Sequence, residues 1–117
     1  MNAMISELIG KTLVSIDKKG DDIIFNCTTG ERYRMYHSQE YYETVVIDDI
    51  CGDLNDLIES PILIAEEVVE SVDDPDKNDS HTWTFYKIAT IKGHVDIRWY
   101  GESDGFYSER VDFKRID

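Results

Sequence analysis

The run Trp83-Thr-Phe-Tyr-Lys-Ile-Ala-Thr-Ile-Lys-Gly-His-Val-Asp-Ile-Arg-Trp-Tyr100 decides the fold class. Two stretches rich in Ile, Val, Thr and aromatic residues flank Gly93. That is the pattern of a β-hairpin, because β-branched and ring side chains pack well on a pleated surface and glycine supplies the turn. A two-residue turn at Lys92 and Gly93 pairs Ile88 with Ile97, Thr90 with Val95 and Tyr86 with Trp99, which keeps one face apolar. The same register sets Lys87 against Arg98, a like-charge pair that Asp96 or Asp112 must offset. The opposite face of the first strand carries Trp83, Phe85, Ala89 and Ile91, so both of its faces call for cover by a second sheet or another subunit. A loop at Ser103, Asp104 and Gly105 then brings Ile97 to Val111 and Val95 to Phe113, completing a three-stranded meander with Arg98 opposite Arg110 on its far face.

The first third of the chain repeats the arrangement. A turn at Lys19 and Gly20 pairs Ile16 with Ile23, Val14 with Phe25 and Thr12 with Cys27. A three-residue loop, Thr28, Thr29 and Gly30, sets Phe25 against Tyr33 and Ile23 against Met35; one residue fewer would put Phe25 opposite Arg34. Between the meanders, Glu43 to Ile50 reads as a strand with Val45 and Ile47 on one face. Asp53 caps a short helix, with Asp56 in the capping-box position and Pro61 as its stop. Apolar spacing over Ile62 to Val72 suits a helix, but its β-branched content favours a strand, and Asp73 to Ser80 reads as loop. The expected fold is mainly β, a β-rich α+β chain: two antiparallel three-stranded meanders joined by a central acidic crossover with one short helix, sandwich- or barrel-like. The 117 residues suit a single domain, 1–117, which buries about two-thirds of its unfolded surface.

The chain holds 25 acids against 12 bases, a formal net charge of −13. Glu40 to Asp79 contains fourteen of those acids with Lys77 as its single base, so the whole excess lies in the central third. Such crowding repels itself unless a cation or a basic partner answers it. The acids, Asp48, Asp49, Asp53 and Asp56 among them, form either a solvated, solubilising face or a surface for a basic protein or a metal. Net charge of this sign opposes phosphate, so direct binding of nucleic acid is not expected. No apolar run approaches the roughly 18 residues of a membrane span, and Met1 to Gly10 lacks the features of a signal peptide. The expectation is a soluble, cytoplasmic protein without a membrane partner.

Few residues point to chemistry. Asp74, Asp76 and Asn78 match the start of a calcium loop, but Asp79 and Phe85 stand where glycine and glutamate belong. His37, His81 and His94 lack metal-ligand spacing, so no metal and no cofactor is expected. Cys27 alternates with Ile23 and Phe25 as a small buried hydrophobe, and Cys51 lies among aspartates that raise a thiol pKa. No nucleophile elbow, catalytic triad or phosphate-cradling loop can be drawn, and no catalytic residue is assigned. Aromatic residues interleave with basic ones from Trp83 to Phe113. Trp83, Arg98, Tyr100 and Arg110 are the candidate ligand-binding set, suited to stacking a nucleotide-like molecule. The alternative is that Trp99, Phe113 and Tyr86 are core and the arginines pair with Asp96 and Asp112. Glu109 faces inward beside Trp99, where burial would raise its pKa.

Several longer motifs carry a resemblance. They include Arg34-Met-Tyr-His37, Asp49-Ile-Cys-Gly-Asp-Leu54, Ser60-Pro-Ile-Leu63, Thr82-Trp-Thr-Phe-Tyr-Lys87 and Ile97-Arg-Trp-Tyr-Gly-Glu-Ser103. Across about Leu8 to Phe113 the chain resembles an uncharacterised family of small bacteriophage- and prophage-encoded proteins. The resemblance implies a phage-related setting in the bacterial cytoplasm and supplies no activity. Three functional classes stay open: a non-enzymatic module presenting an acidic surface to a basic or host protein, a small-ligand binder, and a structural or assembly component that forms a homo-oligomer.

Overall fold

A computed structural model describes residues 2–74 and 79–117. β1 (Leu13–Lys19), β2 (Asp22–Cys27), β3 (Arg32–Tyr36) and β8 (Asp112–Arg115) form one antiparallel sheet in that order. The other runs β4 (Thr44–Cys51), β7 (Gly93–Ser103), β6 (Asp79–Thr90) and β5 (Ile64–Asp74). Both sheets are open, so the fold is a sandwich and not a closed barrel. Their inner faces share one core, in which Phe25, Met35, Tyr86, Ile97 and Trp99 are fully buried. The indole N–H of Trp99 donates to the Met35 sulfur at 3.3 Å and crosses the gap between the sheets.

The hairpin registers depart from expectation for identifiable reasons. β6 and β7 turn at Ile91 and Lys92, so Ile88 faces Val95, Tyr86 faces Ile97 and Lys87 faces Asp96. A shift of two residues leaves every side chain on its original face, so apolar alternation cannot choose between these registers. Charge does: the expected clash of Lys87 with Arg98 becomes an opposite-charge neighbour pair. In the first hairpin the turn falls at Gly20 and Asp21, so Ile16 pairs with Phe25, and a bulge at Val14 then sets Leu13 opposite Cys27. The loop Thr28 to Gly30 holds as expected, with Phe25 on Tyr33 and Ile23 on Met35.

The largest correction concerns the C-terminus. Val111 and Phe113 do not return to β7; the chain crosses over and β8 pairs with β3, Phe113 against Met35. There the Phe113 ring stacks on Tyr33 at 5.3 Å and tilts against Phe25 at 6.2 Å, a set of aromatic partners β7 would not supply. The second meander is therefore β5–β6–β7, and Ile62 to Val72 supplies its first strand. The ladder continues to Asp74 opposite Asp79, past the loop expected at Asp73. The calcium-like run Asp74, Asp76 and Asn78 lies outside the described residues, apart from the backbone of Asp74. The short helix is a 3-10 turn, Leu54–Leu57, capped by Asp53, whose Oδ1 accepts from the Asn55 N–H at 2.9 Å. Asp56 forms no capping box; its carbonyl accepts from the Thr90 hydroxyl instead.

Gly101 sits on the inner row of β7, beneath the segment that leads from β7 to β8. A Cβ there would lie 2.8 Å from the Glu109 carbonyl oxygen and 3.0 Å from its Cβ. Backbone must therefore move to admit a side chain. Gly101→Ala is expected to cost about 1–3 kcal/mol, measured by urea unfolding, as overpacking of a close-packed site does.

Candidate functional site

Alternation along β7 sends Val95, Ile97 and Trp99 into the core and Arg98 and Tyr100 to the outer face of the sheet. Beside them on β6 lie Trp83 and Phe85, with Trp83 opposite Tyr100 and Phe85 opposite Arg98. Trp83 and Tyr100 are in contact, with ring centroids 4.6 Å apart, and the Arg98 guanidinium lies 5.5 Å from the Trp83 ring. All four are half-buried, although no second layer covers them among the described residues.

β4 completes the site through an irregularity. Ile47 faces Trp99 and Asp49 faces Arg98, leaving Asp48 as the extra residue of a bulge. Strict alternation would send Asp48 and Asp49 to opposite faces. The bulge brings both to Arg98, whose Nη2 lies 2.5 Å from Asp48 and 4.0 Å from Asp49. Glu66, Glu70, Asp96 and Glu102 share this face through their register with Lys87, Trp83 and His81. The Tyr100 hydroxyl donates to Glu102 at 3.0 Å, and the His81 ring stacks on Tyr100 at 6.2 Å. The arrangement is a strip of aromatic rings and one paired guanidinium, rimmed by carboxylates. Cys51 lies on the same strand, and its hydrogen bond to Asp49 at 3.4 Å, with that carboxylate's charge, pushes the thiol pKa up and keeps it a poor nucleophile.

Two expected site groups lie elsewhere. Arg110 is not opposite Arg98; it lines a groove on the open side of the sandwich, between β5 and the segment leading to β8. This groove, about 470 Å³, continues into a second of about 590 Å³ beside the N-terminal residues, and Glu67, Arg110 and Val111 line both. Glu109 is buried at its floor, taking hydrogen bonds from Thr82 at 2.7 Å and from the Ser103 hydroxyl. Glu67 accepts from the Tyr86 hydroxyl at 2.7 Å; burial first, then this bond, pushes the Tyr86 pKa well above the usual phenol range. Asp53 and Asp56 belong to the 3-10 turn near the β6–β7 hairpin. The central acids are thus not one patch. Glu66 and Glu67 part because adjacent strand residues face opposite ways, and Glu43 is fully buried.

Glu43 and the rings around it escaped the sequence reading. Its carboxylate accepts from the backbone N–H groups of Tyr41 at 2.7 Å and Glu40 at 2.8 Å, from Gln39 at 3.1 Å and from His37 at 2.9 Å. The other His37 nitrogen lies 2.8 Å from the Arg110 carbonyl. This knot holds the loop that presents Tyr41 and Tyr42 to Tyr107, with centroids 5.5–6.1 Å apart. The adjacent tyrosines, followed by a glutamate, were the available signal.

Taken together, two packed four-stranded antiparallel sheets, one with an acid-rimmed aromatic outer face, define a β-sandwich protein. Residues 6–113 match the domain of unknown function DUF7448, and the chain belongs to that family. No curated protein and no solved structure matches it.

Burial alone would raise the Glu43 pKa, but the donors from Tyr41, His37 and Glu40 outweigh it and hold it at about 2, against an ordinary value near 4.5. A carboxyl with a depressed folded-state pKa stabilises the fold above its unfolded value, and that stability drains away as pH falls towards the folded one. The melting temperature is therefore expected to fall between pH 4.5 and pH 2. Glu43→Gln should start lower and lose less over that interval, as measured by calorimetry.

Proposed function

We propose that this chain is a non-enzymatic binding protein whose outer sheet face receives a basic protein surface. The bulge in β4 carries the reading, because it turns Asp48 and Asp49 together onto the face where Trp83 and Tyr100 stand half-exposed. Rings supply contact area and attract cations through their π-faces, while the carboxylates around them select positive charge. The pairing of Arg98 with Asp48 favours this over a nucleotide, since the guanidinium beside Trp83 is already engaged by carboxylates rather than held ready for a phosphate. The proposal extends to a phage-related setting, in which the partner is a host protein met in the bacterial cytoplasm.

Fluorescence anisotropy with a labelled lysine- and arginine-rich peptide tests it. Trp83→Ala is expected to weaken binding by about tenfold or more, as loss of a central aromatic anchor does. The double variant Asp48→Asn, Asp49→Asn should weaken it comparably and flatten its salt dependence. Unchanged affinity in both variants would refute the assignment. Self-association that blocks the peptide, seen by sedimentation, would favour an assembly role instead.

A further inference from the structure

β5 is the long, regular edge of the sandwich among the described residues. The opposite edge of its sheet, β4, is interrupted by the Asp48 bulge, and its Ile47 N–H donates to Asp21 at 2.8 Å. In the other sheet β1 carries a bulge at Val14, while β8 has four residues and is bridged by Asn2 at Lys114. β5 instead keeps an unbroken register with β6 over eleven residues. On it Val69 is 52% exposed and Val72 58% exposed. The N-terminal 3-10 turn, Ile5–Leu8, packs against the start of β5; beyond it the flank of such a strand presents a row of backbone N–H and C=O groups that a further strand can pair with. The groove lined by Glu67, Val69 and Arg110 opens alongside, so a chain laid against β5 has space for its inward side chains.

Charge identifies the occupant. β5 carries Glu66, Glu67, Glu70, Asp73 and Asp74 and no base. A second copy would set five acids against five, a juxtaposition that costs free energy. We infer that β5 accepts a basic extended segment of a partner protein as a fifth strand of its sheet. This rests on the basic-partner reading above and adds the mode of docking. Glu66 and Glu70 face the outer side four residues apart, about 13 Å at about 3.3 Å per residue. They therefore match basic residues spaced four apart on one side of the incoming strand, while Glu67 meets a residue on its other side.

The test uses the full chain and a labelled peptide alternating lysine with valine, beside its fully N-methylated counterpart, which keeps the charge and loses every backbone N–H. The plain peptide is expected to bind and the N-methylated one to bind at least tenfold more weakly. Backbone amides of β5 should exchange more slowly in the complex, and the exposed double variant Glu66→Gln, Glu70→Gln should weaken the plain peptide at least tenfold. Equal binding of the two peptides overturns strand addition and leaves the basic-partner reading standing. Binding of neither overturns both. A dimer in sedimentation whose β5 amides are protected without peptide assigns the edge to a second copy and overturns the proposal.

Discussion

Trp99 stands at the contact between the two sheets, fully buried, with its indole N–H on the Met35 sulfur of the opposite sheet. Removing a ring of that size from a core costs about 3–5 kcal/mol, and its place fixes the facing of every other residue of β7. Once Trp99 points inward, Arg98 and Tyr100 must point outward. The outer face is therefore set by the same alternation that seals the inner one. Neighbouring strands copy this division through their registers, so Trp83 joins Tyr100 on one side while Thr84 joins Trp99 on the other.

Against that regular background the bulge in β4 stands out. Regular strands would divide consecutive acids between the two faces of the sheet, as β5 divides Glu66 from Glu67. By adding a residue opposite β7, β4 brings Asp48 and Asp49 to one guanidinium. Two neighbouring carboxylates then share one partner on a surface already rich in acids. Such a face attracts cationic groups and repels anionic ones at short range.

Much of this was legible in the residues. The Gly-punctuated runs from Leu13 to Tyr36 and from Trp83 to Tyr100 gave the strands, because β-branched alternation is a local property. The β-branched content of Ile62 to Val72 outweighed its helical spacing for the same reason. What escaped was non-local. Registers two residues apart bury the same side chains, so the Lys92 turn looked as good as the true one until Lys87 met Asp96. The crossing of Phe113 to Tyr33 depends on rings eighty positions away in the chain. Bulges at Val14 and Asp48 leave no mark in composition, and the gathering of Trp83, Arg98, Tyr100, Asp48 and Asp49 depended on one of them. Arg110 fell away from this group because its pairing with Arg98 presupposed a strand that belongs to the other sheet.

The two tryptophans make the central claim directly measurable, since Trp99 is sealed between the sheets and Trp83 stands half-exposed in a field of carboxylates. Fluorescence quenching by caesium and by iodide at matched ionic strength reads both properties at once. One tryptophan is expected to be inaccessible to either ion and the other to be quenched more effectively by caesium. Quenching of both residues, or a preference for iodide, would contradict it.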